Sequence, residues 1–463
     1  MPPSISLDDL LAATGGRLLG PTATTSFAGA AVDSRQVRPG SLFVALRGER
    51  VDGHAYVAEA LAHGATVALV ERPVDTGGRD AALVRVADSV HALQELAAWW
   101  RSRSAVRVVG ITGSTGKTLA KEIVADVLSR TRTVLRNEGN LNSETGLPMT
   151  LLELEPQHEV AVLEMSMYTE GEIARLAEIS RPEVGVVLAV HPTHLERAGS
   201  IEAIARAKSE LPRALAADGL AVLNADDPRV AAMALVTAAV VRTYGLNDGA
   251  EVRALDVASR GLEGTEFTLR APWGERRLRT GMPGRHLVGH ALAAAAVAER
   301  FGVPLDEVEA ALAAGSRADH RMAVTEAASG AIVVDDSYNA SPVSVAAALE
   351  FLGETQVSGD GRRLAVLGDM LELGPDEERL HREIGTAAAG VVDALLAVGP
   401  RGAWIADAAR AAGLSRITSV GDVDEAIGAV DRALGAGPRD VVLVKGSRGV
   451  ELDRLVAALE ASR

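Results

Sequence analysis

Residues 110–118 read Gly110-Ile111-Thr112-Gly113-Ser114-Thr115-Gly116-Lys117-Thr118, between an apolar run over 105–109 and a helical pattern over 119–128. An apolar strand, a glycine-rich turn and a helix in that order make a phosphate cradle. The backbone N–H groups of the turn (Gly113, Ser114, Thr115 and Gly116) and the helix N-terminus face an anion. Lys117 reaches the outer phosphates and Thr118 can hold Mg²⁺. The strict phosphate-loop pattern has glycine where Ile111 stands, and here it falls one residue early, at Gly110. The stretch predicts an α/β domain that binds a nucleotide.

Working outward, apolar runs at 160–163, 184–190 and 220–223 alternate with helical patterns. That alternation predicts a doubly wound, mostly parallel sheet, whose ligands gather at the carboxyl ends of the strands. Glu164 and His194 fall at such ends. Residues 241–282 break the alternation with turn-rich β signals and predict a side β-sheet, before an alanine-rich helix over 286–300. Upstream, strands are expected at 42–46, 66–70 and 83–86 and helices at 55–63 and 89–103, a small α/β unit. Trp99 and Trp100, near the end of the last helix, are expected to pack a domain junction. Downstream, strands at 331–334, 363–367, 394–398 and 441–444 alternate with helices at 343–352, 376–389, 404–412 and 423–434, a C-terminal Rossmann-like unit. The expected domains are 1–103, 104–316 and 317–463.

The chain has 463 residues, ample for several cores, and a formal net charge of -15. No basic field is available to attract nucleic-acid backbones, so nonspecific nucleic-acid binding is excluded. With no cysteine, disulfides, thiolate chemistry and cysteine-based zinc sites are excluded. Aromatics make up 3% of the chain, so the cores must be built from Ala, Val and Leu. The first eleven residues carry Asp8 and Asp9 and lack the basic and apolar regions of a signal peptide. The longest apolar run, 291–298, is too short to span a bilayer. A cytoplasmic protein with no membrane insertion is expected.

Several residues could carry chemistry. Glu164 ends an apolar strand beside the phosphate loop, where a carboxylate holds Mg²⁺ directly or through water, or else initiates a helix. His191 and His194 follow the next strand and could bind metal, orient a phosphate, or simply be solvated. Lys208, in the helical stretch 201–208, reads by pattern as a surface lysine. Asp335, Asp336 and Asn339 follow a strand of the third segment; strand-end carboxylates take ribose hydroxyls, or cap the helix that Ser341-Pro342 begins. Arg321 could offer a guanidinium to a γ-phosphate or pair with an acid. Asp369 and Lys445 end further strands of that segment.

Taken together, the motifs resemble the Mur ligases of peptidoglycan synthesis over nearly the whole chain. In the first segment the resemblance is carried by Asp33-Ser34-Arg35, by 39–46 and by Asp52-Gly53-His54. In the middle segment it rests on the phosphate loop, Asn140-Leu141-Asn142, Gly146-Leu147-Pro148, Glu164-Met165, Thr193-His194-Leu195-Glu196 and Ala205-Arg206-Ala207-Lys208. In the last segment, residues 336–342, 368–374 and 444–447 resemble the member that adds a dipeptide. The Asp-Asn-Pro-Arg segment usual in the ligase adding the third peptide residue is missing. Leu287 and His290 depart from the family pattern, standing where asparagines are usual.

The resemblance implies ATP-driven amide synthesis through an acyl phosphate, with UDP-N-acetylmuramoyl-tripeptide and D-alanyl-D-alanine as substrates and a monomeric enzyme. It implies Lys117 and Arg321 on the phosphates and Asp336 and Asn339 on nucleotide or substrate. Two Mg²⁺ ions would be held by Thr118, Glu164, His194 and a carbamylated Lys208. Ser34 and Arg35 would contact the UDP moiety, and Asn140, Asn142, Asp369 and Lys445 the substrates. Two alternatives stand beside this: another Mur-type ligase adding a single amino acid, and a nucleotide-binding regulator that ligates nothing.

Overall fold

The computed structural model describes residues 4–48, 51–192, 199–315 and 320–461. Among them the strands form four sheets. A two-stranded antiparallel ribbon pairs Ser4–Ser6 with Ser26–Ala28. Beside it lies a five-stranded sheet in the order Arg17–Leu18, Ala82–Arg85, Val67–Val70, Leu42–Val44, Ala30–Ala31, parallel except at its first pair. The expected strands at 42–46, 66–70 and 83–86 are all present. The helix expected over 55–63 is split into a 3-10 turn, Gly53–Tyr56, and the helix Val57–Ala62.

The central sheet has nine strands among the described residues. Its parallel core runs Val240–Gly245, Leu220–Asn224, Val184–Val187, Arg107–Thr112, Val160–Glu164, Val134–Arg136. Arg107–Thr112 sits inside, with later strands added on both sides. The chain therefore reverses its winding there, and the crevice opens at its carboxyl end, where the phosphate loop lies. Both faces are covered, which is why these strands are near-continuous runs of Val, Leu and Ile.

The side sheet expected over 241–282 is joined edge-on to this sheet. Val252–Ser259 continues the parallel order, and Thr265–Ala271 and Gly274–Thr280 add an antiparallel arm. The alanine-rich helix Val288–Arg300 packs on the phosphate-loop helix, Lys117–Leu128. Alanine favours helix, and its small side chain lets the two helices approach closely.

The third sheet is ordered Ala323–Glu326, Ile332–Asp335, Val441–Lys445, Arg363–Gly368, Ala394–Val398, Ile417–Val420, with only its first pair antiparallel. One buried apolar cluster runs from Val109 and Ala291 of the middle segment to Val334 and Leu367 of the last. Another joins Leu93 and Leu96 to Leu151 and Leu163. Trp99 and Trp100 pack against that second cluster. The Trp100 indole N–H donates to the Leu154 carbonyl at 3.2 Å, so they do lie at a junction between segments.

Candidate active site

The phosphate-loop helix starts at Lys117, with Gly116 at its N-cap in the left-handed region (φ 77°) and no side chain capping it. Several other helices have a side chain closing this end: Ser341, for example, caps Pro342–Glu354 in a reciprocal box with Ser344. An uncapped N-terminus leaves backbone N–H groups and the positive end of the helix dipole free for an anion. Glycine is required at 116 twice over, because a Cβ there would also lie 2.2 Å from His290 Nε2. Ser114 ties the loop to the next strand end: its Oγ donates to the His191 carbonyl (3.0 Å) and accepts the His191 N–H (2.9 Å).

The loop opens into a cleft of about 620 Å³ shared by the central and third sheets, within the range of small-molecule sites. Loop residues Ser114 to Thr118, Asn140, Asn142 and Glu164 line it on one side. Arg321, Asp336, Asn339 and Lys445 line it from the other.

Lys117 Nζ donates to the Gly113 carbonyl at 3.0 Å. Burial lowers its pKa; Glu164 pulls it back up and Arg321 pushes it further down. Thr118 Oγ1 donates to Glu164 Oε2 at 2.7 Å and accepts from an Arg321 guanidinium N–H at 2.8 Å. Arg321 also lies over the Tyr338 ring, 4.2 Å from its centre, a cation–π contact. His320 and Met322 on either side of it are both left-handed (φ 58° and 53°). Such backbone strain in non-glycine residues persists only where the surroundings impose it. Here the His320 ring pairs with Asp335 at 2.6 Å, and the His320 carbonyl accepts the Tyr338 N–H at 3.1 Å.

Glu164 is 2% exposed. Its carboxylate accepts from two neutral donors, Thr118 and Asn142 Nδ2 (2.6 Å), and makes no ion pair among the described residues. Lys117 acts on this carboxylate through its charge alone, without a hydrogen bond. A buried carboxylate with no hydrogen-bonded cation is costly, a cost that a divalent ion would offset. Among the described residues no group of three or more acidic or histidine side chains is placed to hold a metal ion. Mg²⁺ uses one or two carboxylates plus substrate phosphates rather than an all-protein cage, and Glu164 beside the Thr118 hydroxyl offers such a donor pair. The donor set therefore fits a nucleotide-bound Mg²⁺.

Lys208 is 3% exposed, a correction to its reading as a surface lysine: the helix Ile201–Arg213 turns that face inward against the parallel strands. Burial first, and Lys117 second, hold its pKa well below the usual lysine value. Its side chain has no hydrogen bond or ion pair among the described residues. His194 lies outside the described residues.

Asp336 does not cap a helix, since Ser341 performs that task. Its carboxylate instead accepts from Lys445 Nζ at 2.5 Å, and Lys445 also donates to the Asn339 carbonyl at 2.9 Å. Asp369 is 4% exposed and does not line the cleft. Its Oδ1 accepts the N–H groups of Arg401 (2.9 Å) and Gly402 (2.7 Å) at the start of Gly402–Ala411, so a direct substrate contact by this carboxylate does not fit. The neighbouring Leu371 and Leu373 do line the cleft. Ser34 and Arg35 also stand away from it: the Ser34 hydroxyl donates to Glu59 (3.2 Å), and exposed Arg35 pairs with Asp33. Sequence reasoning assigns no role to Asn137, which pairs with the backbone of Glu164, or to Tyr338, which stacks on Arg321; neither contact leaves a local signal.

His286 and His290 line the cleft, and burial lowers both pKa values to about 4. Asp336 pulls His286 back up, while His286 pushes His290 further down. Unfolded imidazoles titrate near 6.5. Between about pH 6.5 and 4 the unfolded chain thus binds protons that the native one refuses. Stability must fall with falling pH there, by about 1.4 kcal/mol per pH unit for each such imidazole. Melting temperatures at pH 7 and pH 5 check this: His290→Asn should narrow the difference, and an unchanged difference would exonerate the imidazole.

Three family models match in chain order: Mur ligase family, catalytic domain, over residues 27–101; Mur ligase middle domain over 111–298; and Mur ligase, glutamate ligase domain, over 320–448. With a phosphate loop at the winding reversal of the central sheet and a Rossmann-like sheet closing the cleft, the chain belongs to the Mur ligase family. It is 36% identical over 462 residues to the UDP-N-acetylmuramoyl-tripeptide--D-alanyl-D-alanine ligase of Escherichia coli (strain K12), covering 99% of this chain and 98% of that one. It superposes on MurF from Acinetobacter baumannii with a TM-score of 0.87 at 32% identity, covering 99% of this chain and 100% of that one. For MurF ligase from Thermotoga maritima, solved in complex with ADP, the TM-score is 0.80 at 30% identity, over 93% and 97% of the two chains.

Proposed function

We propose that this chain joins D-alanyl-D-alanine to UDP-N-acetylmuramoyl-tripeptide at the expense of ATP, as a cytoplasmic monomer with domains 1–103, 104–316 and 317–463. The observation that carries it is one cleft in which an uncapped phosphate-loop helix faces Arg321, Asp336, Asn339 and Lys445 from the third sheet. A carboxylate is a poor electrophile, so its oxygen first attacks the γ-phosphorus and ADP leaves. The amine of the dipeptide then attacks the acyl carbon, a proton is lost from nitrogen, and phosphate departs.

The protein's share is positioning and charge neutralisation. The loop N–H groups of Gly113 to Gly116 hold the phosphates, Lys117 neutralises them, and Arg321 meets the charge growing at the γ-phosphoryl oxygens. Asp336 and Asn339 orient nucleotide or substrate. Asn140, Asn142 and Lys445 face the reacting ends, and Ser34 and Arg35 hold the UDP group. Thr118, Glu164, His194 and Lys208 would hold two Mg²⁺ ions, which when bound would screen the phosphate charge. Lys208 would do so as a carbamate. Its burial and the lack of an acidic partner among the described residues support this, because the neutral amine is the form that reacts with CO₂.

Supplying UDP-muramoyl tripeptide and ATP with either D-alanyl-D-alanine or a single amino acid tests the proposal. Phosphate and a lengthened muramoyl peptide are expected with the dipeptide. Release with only diaminopimelate, lysine or glutamate would assign a different ligase, and ATP binding without turnover would assign a regulator.

A further inference from the structure

The edge strand Val134–Arg136 pairs with Val160–Glu164 only as far as Arg136↔Val162. On its other side the same strand stays paired through Glu164↔Ile111. Glu164 therefore outruns its backbone neighbour on the edge-strand side. The Asn137 side chain stands in the gap. Its Oδ1 accepts the Glu164 N–H at 2.9 Å, and its Nδ2 donates to the Glu164 carbonyl at 3.2 Å. The same Nδ2 donates to the Leu141 carbonyl at 2.8 Å, and the Asn137 carbonyl accepts from Lys121 Nζ at 2.5 Å. Asn137 and Lys121, the latter on the phosphate-loop helix, have no exposed surface.

We propose that Asn137 is a positioning residue for the divalent-cation site. It fixes the main chain of Glu164, and so the direction of its carboxylate, and it anchors the Asn140–Asn142 turn whose Asn142 amide holds that carboxylate. A primary carboxamide offers an acceptor and a donor side by side, matching the N–H and C=O of one residue as a neighbouring strand would. An aspartate there would face two carbonyls with no donor, a serine could replace only part of the set, and an alanine none of it. Such partners orient metal ligands, and their loss commonly weakens metal binding about 10- to 100-fold. The role depends on Glu164 holding Mg²⁺, as proposed above.

The test uses the full chain with Asn137→Ala, Asn137→Ser and Glu164→Gln. Mn²⁺ binding is read by electron paramagnetic resonance with a non-hydrolysable ATP analogue, alongside melting temperature and the Mg²⁺ dependence of phosphate release. Asn137→Ala should weaken Mn²⁺ binding about 10- to 100-fold and raise the half-saturating Mg²⁺ in step. Asn137→Ser should fall between, and it carries the measurement if the alanine variant does not fold. In the Glu164→Gln background, Asn137→Ser should add no further loss. If Glu164→Gln weakens Mn²⁺ binding while both Asn137 variants bind it like the wild type, positioning is overturned, whatever their melting temperatures. If Glu164→Gln itself binds Mn²⁺ normally, the metal role of Glu164 fails instead.

Discussion

Lys117→Ala is expected to stop turnover while leaving the melting temperature unchanged or raised. The lysine occupies the first position of the phosphate-loop helix, where its ammonium is desolvated and its recorded hydrogen bond goes to the Gly113 carbonyl of its own loop. Burial lowers its pKa, so the native state bears a cost to keep that charge there. Alanine removes the cost and is the best helix former. What is lost is the charge that meets the phosphates as bonds change. Single preorganised donors or cations at such positions are worth on the order of 10²–10⁵-fold in rate, so a loss of at least about 10³-fold is expected. Phosphate release and thermal unfolding, measured on one preparation, check it. Undiminished turnover would remove Lys117 from the phosphate site, whereas a collapsed melting temperature would make it structural.

Lys208→Ala is expected to lose about 10²- to 10³-fold in turnover and to recover part of it when acetate or formate is supplied. In the proposed carbamate the neutral amine of Lys208 would add to CO₂, forming an N–C bond with release of a proton and giving an anionic oxygen ligand. The variant's cavity can admit a small carboxylate that places oxygens where the carbamate would be. Lys208→Arg separates carbamate from charge, since it keeps a cation but cannot form the adduct, and it should be inactive without rescue. Full activity in the unrescued alanine variant would remove the carbamate. A dead variant that no carboxylate revives would leave Lys208 a role as a cation.

Much of the fold was legible because its signals are short. Val and Leu runs separated by helical spacing specify parallel strands. The cluster Gly113 to Thr118 specifies a strand–turn–helix, since glycine takes the left-handed backbone of Gly116 at no steric cost. The site was legible in part. Glu164 is marked by ending an apolar strand. Lys208 looked like a surface residue, because helical spacing shows which side chains share a face and not what that face meets. Asp369 looked like a strand-end ligand, but its carboxylate is taken by the helix start at Gly402.

The sequence by itself determined the nucleotide loop, the order of strands and helices, and the family to which the chain belongs, since each is written in patterns a few residues long. Only the tertiary structure decided that Arg321 reaches Thr118, that Lys445 holds Asp336, that the side sheet extends the central one, and that Lys208 is buried. Those facts depend on which strands lie side by side and which surfaces lose water. Both follow from how segments pack in three dimensions, in the contacts of Arg321 with Thr118 and Lys445 with Asp336 across more than a hundred residues, where no local pattern records them.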